Sequence, residues 1–147
     1  SNPHRKPDDA TAAMRILLID DQTLVRQGLR CLLASLPGAH VNEAATAAEG
    51  LASFRKARPE VVILSNSLER TSGPEFLKRL LKEQPQARVL MLGHANDTLY
   101  AVRSLQAGAR GFISRHASSS ELIGAVQRLV EGRKYIDKEM ATVLVGK

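Results

Sequence analysis

Residues able to do chemistry stand at the ends of the apolar runs of this chain. Asp20 and Asp21 close MRILLI, Ser65 closes VVIL, Gly93 and His94 follow VLML, and Arg115 and His116 follow GFIS. Adjacent carboxylates suit a hard cation such as Mg²⁺, which takes oxygen ligands in near-octahedral array. A serine, a histidine and an aspartate are also the residue types of a nucleophile, its base and the group that orients the base. Ser65, however, lies in LSNSL and not in the G-x-S-x-G elbow that exposes such a nucleophile, so a serine hydrolase is a remote alternative.

Short apolar runs alternate with amphipathic stretches five times, which predicts a parallel α/β sheet with helices on both faces. In such a sheet the crevice lies beyond the carboxyl ends of the strands, where the residues named above stand. The strands are expected at MRILLID, HVNEAAT, EVVILS, RVLMLG and GFIS. The first helix is expected to bury Val25, Gly28, Leu29, Leu32, Leu33 and Leu36, to turn Arg26, Gln27 and Arg30 outward, and to end at Pro37 and Gly38. Cys31, set among leucines, reads as a small buried apolar residue. Thr46 with Glu49, Ser72 with Glu75, and Ser118 with Glu121 carry the signature of helix starts, and Gly108 and Gly132 that of helix ends.

The chain of 147 residues fits one domain and can bury a sizeable core. No apolar run approaches the roughly 18 residues of a membrane span. The opening SNPHRKPDDATAA has no apolar stretch and reads as a disordered leader, residues 1–13. Lys and Arg outnumber Asp and Glu by 21 to 15, but these charges are scattered. With no Trp, two Tyr and three Phe, the chain offers few rings for a base-stacking platform, which argues against nucleic-acid binding of that kind. A single cysteine fits a reducing, cytoplasmic compartment.

Three segments, ILLIDDQTLVRQGL, PEVVILSNSLERTSG and GARGFISRHAS, carry a resemblance to the receiver domains of two-component response regulators. It covers nearly all of residues 14–133, and GARGF and GRKYID are similar to the subfamily whose receiver precedes a LuxR-type helix-turn-helix. The resemblance implies a doubly wound five-stranded parallel sheet of flavodoxin-like order 2-1-3-4-5. It also implies a site in which an aspartate ending the third strand accepts a phosphoryl group, beside Mg²⁺ held by that aspartate and an acidic pair. Asp20 and Asp21 match the pair, but the acceptor position falls on Ser65, whose hydroxyl needs a base before it can attack phosphorus. The hydroxyl residue that senses the phosphoryl group falls on Gly93, the lysine on Arg115, and the coupling aromatic on Phe112.

The sequence is therefore expected to encode a degenerate, non-enzymatic pseudo-receiver working through protein–protein contact in signal transduction and transcription regulation. It is expected to need no cofactor, with Mg²⁺ weak or lost at Asp20 and Asp21, and Arg115 paired with these acids. The resemblance implies a homodimer through the helices beginning near Thr23 and Ser118, DNA contact only through a further domain after the linker begun by residues 134–147, and no membrane partner. A free-standing pseudo-receiver that binds a partner protein or a small ligand is the alternative. The partner kinase and the regulated genes are not legible in these residues.

Overall fold

A computed structural model of the chain describes residues 14–66, 68–94, 96–136 and 141–142. Five strands and five helices alternate: β1 (Met14–Ile19), α1 (Thr23–Leu33), β2 (Ala39–Ala44), α2 (Ala47–Ala57), β3 (Val61–Ser65), α3 (Gly73–Glu83), β4 (Val89–Gly93), α4 (Thr98–Gln106), β5 (Gly111–Ser114) and α5 (Ser119–Val130). The strands form one parallel sheet in the order β2-β1-β3-β4-β5, as the resemblance implies.

The period-two alternation of strand side chains divides the core between two faces. Leu17, Ile19, Leu64, Met91 and Phe112 point to the side of α2, α3 and α4, where they meet Phe54, Phe76, Leu77 and Leu80. Ile16, Leu18, Ile63, Leu90, Leu92 and Ile113 point to the side of α1 and α5, against Leu33, Leu36, Leu122, Val126 and Leu129. Each fully buried leucine or phenylalanine contributes about 1.5–3 kcal/mol of transfer free energy. That burial keeps the carboxyl ends of β1, β3 and β4 side by side.

The helix starts fall where the hydroxyl residues place them. Thr46, Ser72 and Ser118 each accept a hydrogen bond from the backbone N–H three residues on. Only Ser118 and Glu121 complete the reciprocal box. Glu49 turns instead to the N–H of Ala45 at 2.9 Å, and Glu75 to Lys78 at 3.7 Å.

Helix α1 differs from expectation in three ways. It ends at Leu33, because the chain tightens there into short-range turns that carry it to Gly38, whose φ is +75°. Cys31 is exposed, not buried: at about 100° per residue it lies on the far side of the helix from Leu33. Leu32, at 41%, and Gly28 are exposed as well, which narrows the buried stripe, and Leu24, outside that stripe, is 84% exposed.

Beyond α5 the chain returns to the sheet. Tyr135 bridges Gly111 in parallel, accepting from the N–H of Phe112 at 3.2 Å and donating to the carbonyl of Arg110 at 3.1 Å. A Cβ on Gly111 would sit 2.8 Å from the Tyr135 carbonyl oxygen, so glycine is what lets this segment close on the β5 edge. Residues 1–13 and most of KEMATVLVGK, the stretches read as leader and linker helix, lie outside the described residues.

Candidate functional site

Asp20 is the first residue past β1 and only 1% exposed, an unusual position for a carboxylate unless it is paired. Its Oδ1 accepts from the N–H of Gln22 at 2.7 Å, a local turn that fixes the side chain. Its backbone carbonyl accepts from Arg26 Nη1 at 2.6 Å. Arg26 also meets Glu43, one residue before the end of β2, at 3.0 Å, and Arg30 hydrogen-bonds that carboxylate as well. Arg26 thus faces the sheet end, whereas the helical stripe had turned it to solvent; the sequence signal that could have found it is the acidic Glu43 within the neighbouring strand. Asp21, in contrast, is exposed.

Ser65 closes β3 and is 1% exposed. The loop after it is held by α3: the N–H of Gly73 donates to the carbonyl of Asn66 at 3.0 Å. A Cβ at Gly73 would lie 2.7 Å from the Ser65 carbonyl oxygen, so this glycine permits the helix start to press on the strand end.

Arg115 follows β5, where its N–H donates to the carbonyl of Gly93 at 2.8 Å. From there its side chain, 17% exposed, crosses the end of β4. Nη2 donates to Ser65 Oγ at 2.7 Å and lies 3.4 Å from both Asp20 Oδ2 and Asn66 Oδ1. One guanidinium thus joins β1, β3 and β5 at the position where the crevice was expected. The sequence reading named Asp20, Ser65 and Arg115 but not Asn66.

Gly93 is buried at the end of β4, covered by Tyr100 of α4 and by Phe112 of β5, itself 1% exposed. The two rings meet edge to face, with centroids 5.7 Å apart. His94 and His116 are exposed, their ring centroids 6.4 Å apart, and among the described residues no histidine hydrogen-bonds Ser65.

The comparisons with known proteins agree with this architecture. The family model "Response regulator receiver domain" matches residues 16–127. The transcriptional activator protein ExaE of Pseudomonas putida is 36% identical over 132 residues, covering 89% of this chain and 62% of that protein. The response regulator GacA of Pseudomonas protegens is 31% identical over 135 residues, covering 91% of this chain and 63% of GacA. The chain therefore spans under two thirds of the length of these relatives. Among solved structures, a two-component response regulator of the LuxR family from an Aurantimonas species superposes with a TM-score of 0.85 at 28% identity, over 92% of this chain and 97% of that one. With its strand order, its acid-lined sheet end and a family match over most of its length, the chain belongs to the response regulator receiver family.

Proposed function

We propose that this receiver has lost aspartyl phosphorylation and works by protein–protein contact in transcription regulation. The observation that carries this reading is the position of Arg115, its Nη2 on Ser65 Oγ at 2.7 Å and beside Asp20 at 3.4 Å. The acceptor position holds a hydroxyl with no base hydrogen-bonded to it among the described residues, and its neighbour is a permanent cation. A serine hydrolase is disfavoured for the same reason, and the chain is read as non-enzymatic.

The residues present do not fit Mg²⁺ while Arg115 stands there. One Asp20 oxygen is taken by the Gln22 N–H, the other faces the guanidinium, and Ser65 brings no charge. A divalent ion would have to approach a cation in a half-closed site, with Asp21 as the sole free carboxylate of the pair. Arg115 supplies the positive charge that a metal supplies in a phosphorylating receiver.

The interaction surface is assigned to α1 and α5. A groove of about 380 Å³ runs between them, lined by Leu24, Val25, Leu29, Leu32, Ala117 and Leu122 among others. The exposed Leu24 and Leu32 at its rim suit a second copy of the chain. Such a homodimer sets the spacing of DNA-binding modules attached beyond the receiver, as the LuxR-family likeness suggests. Among the described residues no helix is long and apolar enough to cross a membrane, and an exposed unpaired Cys31 fits a reducing cytoplasm.

Incubation with acetyl phosphate and Mg²⁺ followed by intact mass measurement tests the reading. No phosphoryl adduct is expected; a hydroxylamine-labile acyl-phosphate adduct overturns it. The Ser65→Asp variant is expected to remain almost unlabelled, since the new carboxylate meets Arg115 and Gly93 still offers no hydroxyl. Strong labelling of that variant with a conformational change shows that Ser65 alone set the loss.

A further inference from the structure

Gly93 is not required by its backbone. It lies in a regular strand, and among the described residues the glycines with positive φ are Gly38, Gly108 and Gly132. What requires it is space. A Cβ at position 93 would come within 2.7 Å of Tyr100 Cε2 and 3.2 Å of Phe112 Cε2 and Cζ. Carbon atoms in contact prefer about 3.5–4.0 Å, so the first approach is impossible without moving the tyrosine.

The tyrosine gains nothing from its polar end. Among the described residues its buried Oη has no hydrogen-bond partner, while the nearby Ser104 Oγ donates to the backbone carbonyl of Tyr100 at 2.8 Å. Burial pushes the phenol well above its ordinary range, and the Arg115 charge offsets this only in part. A buried hydroxyl left unpaired is a cost, so ring packing on Phe112 and the missing Cβ must hold the side chain in.

We infer that Tyr100 is a positioning residue that plugs the space a side chain at position 93 would take, and by filling it keeps Phe112 buried. This rests on the reading that the site no longer switches, and it names the element that fixes it. Here the space beside the β4 strand end is shared by two rings. The consequence is steric. Restoring a side chain at 93 must expel Tyr100 toward the α4 surface, whatever stands at 65 or 115.

The chain has no Trp and two Tyr, so in a Tyr135→Phe background the tyrosine fluorescence reports Tyr100 alone. Acrylamide quenching is expected to be weak in that protein and to rise several-fold on adding Gly93→Ala, with shifts of the Phe112 ring resonances. Quenching that stays weak, or that is already strong before Gly93→Ala, overturns the plug. A thermal-stability cycle guards against misfolding. Gly93→Ala is expected to lower Tm with Tyr100 present and to lower it far less in a Tyr100→Ala background. Equal losses in both backgrounds, or failure of the double variant to fold, overturn the proposal. No phosphoryl donor is used, so the two claims fail separately: a labelled protein with a sealed Tyr100 refutes the lost switch and not the plug, and an unlabelled protein with an accessible Tyr100 does the reverse.

Discussion

Arg115 and Asp20 form an unequal pair, because the arginine keeps a partial exit to solvent and the carboxylate does not. Removing the arginine therefore strands a buried charge. Arg115→Met is expected to destabilise the domain by about 3 kcal/mol, read from urea unfolding at neutral pH, and Arg115→Lys by less, since an ammonium keeps the charge but not the fork. A neutral Arg115→Met contradicts the pairing. Tyr100→Phe has the opposite sign. It removes a hydroxyl that has no partner, so stability is expected to hold or to rise by about 1 kcal/mol. Asp20, Ser65, Gly93 and Arg115 were legible in the sequence because each ends or follows an apolar run, and the parallel fold sends all such ends to one crevice. Tyr100, Asn66 and Arg26 were not. Their roles depend on the rotation of α1 and α4 and on the path of one loop, which tertiary packing sets and a helical stripe does not record.

The helices and strands were largely legible, since strand runs and hydroxyl caps are local signals. Ser118 holds both halves of its cap, and Ser118→Ala is expected to cost α5 about 1 kcal/mol in chemical denaturation. The misreadings fall on α1, where Gly28, Cys31 and Leu32 were expected inside and stand outside, because the buried stripe is narrower than the apolar sequence suggests. Between α1 and β2, Glu43 is held below its ordinary value of 4.5, first by the hydrogen bond from Arg30 and also by Arg26, against a desolvation that acts the other way. A depressed carboxylate favours the folded state above its ordinary value and loses that contribution as pH falls through the folded value. Glu43→Gln is therefore expected to be less stable than the parent at neutral pH, with the two unfolding curves converging below about pH 4.5. A gap that stays constant into acid removes the ion pair from the explanation.

The whole domain has the five-stranded sheet and two-sided core of the family, with its β5 edge closed by Tyr135, and the proposed loss of phosphorylation leaves that architecture untouched. Self-association through α1 and α5 predicts that Leu24→Glu converts a concentration-dependent dimer to monomer in light scattering without lowering Tm, because Leu24 is 84% exposed in the single chain. A parent that is monomeric at all concentrations removes the dimer from the account. The fixed site is tested most directly by titrating the domain with Mg²⁺ and beryllofluoride while observing the side-chain resonances of Arg115 and Phe112. The expected result is an unchanged spectrum at saturating reagent. A saturable shift of Arg115 Nε–H together with the Phe112 ring would show that the site still takes a metal and a phosphoryl mimic, and would contradict the account.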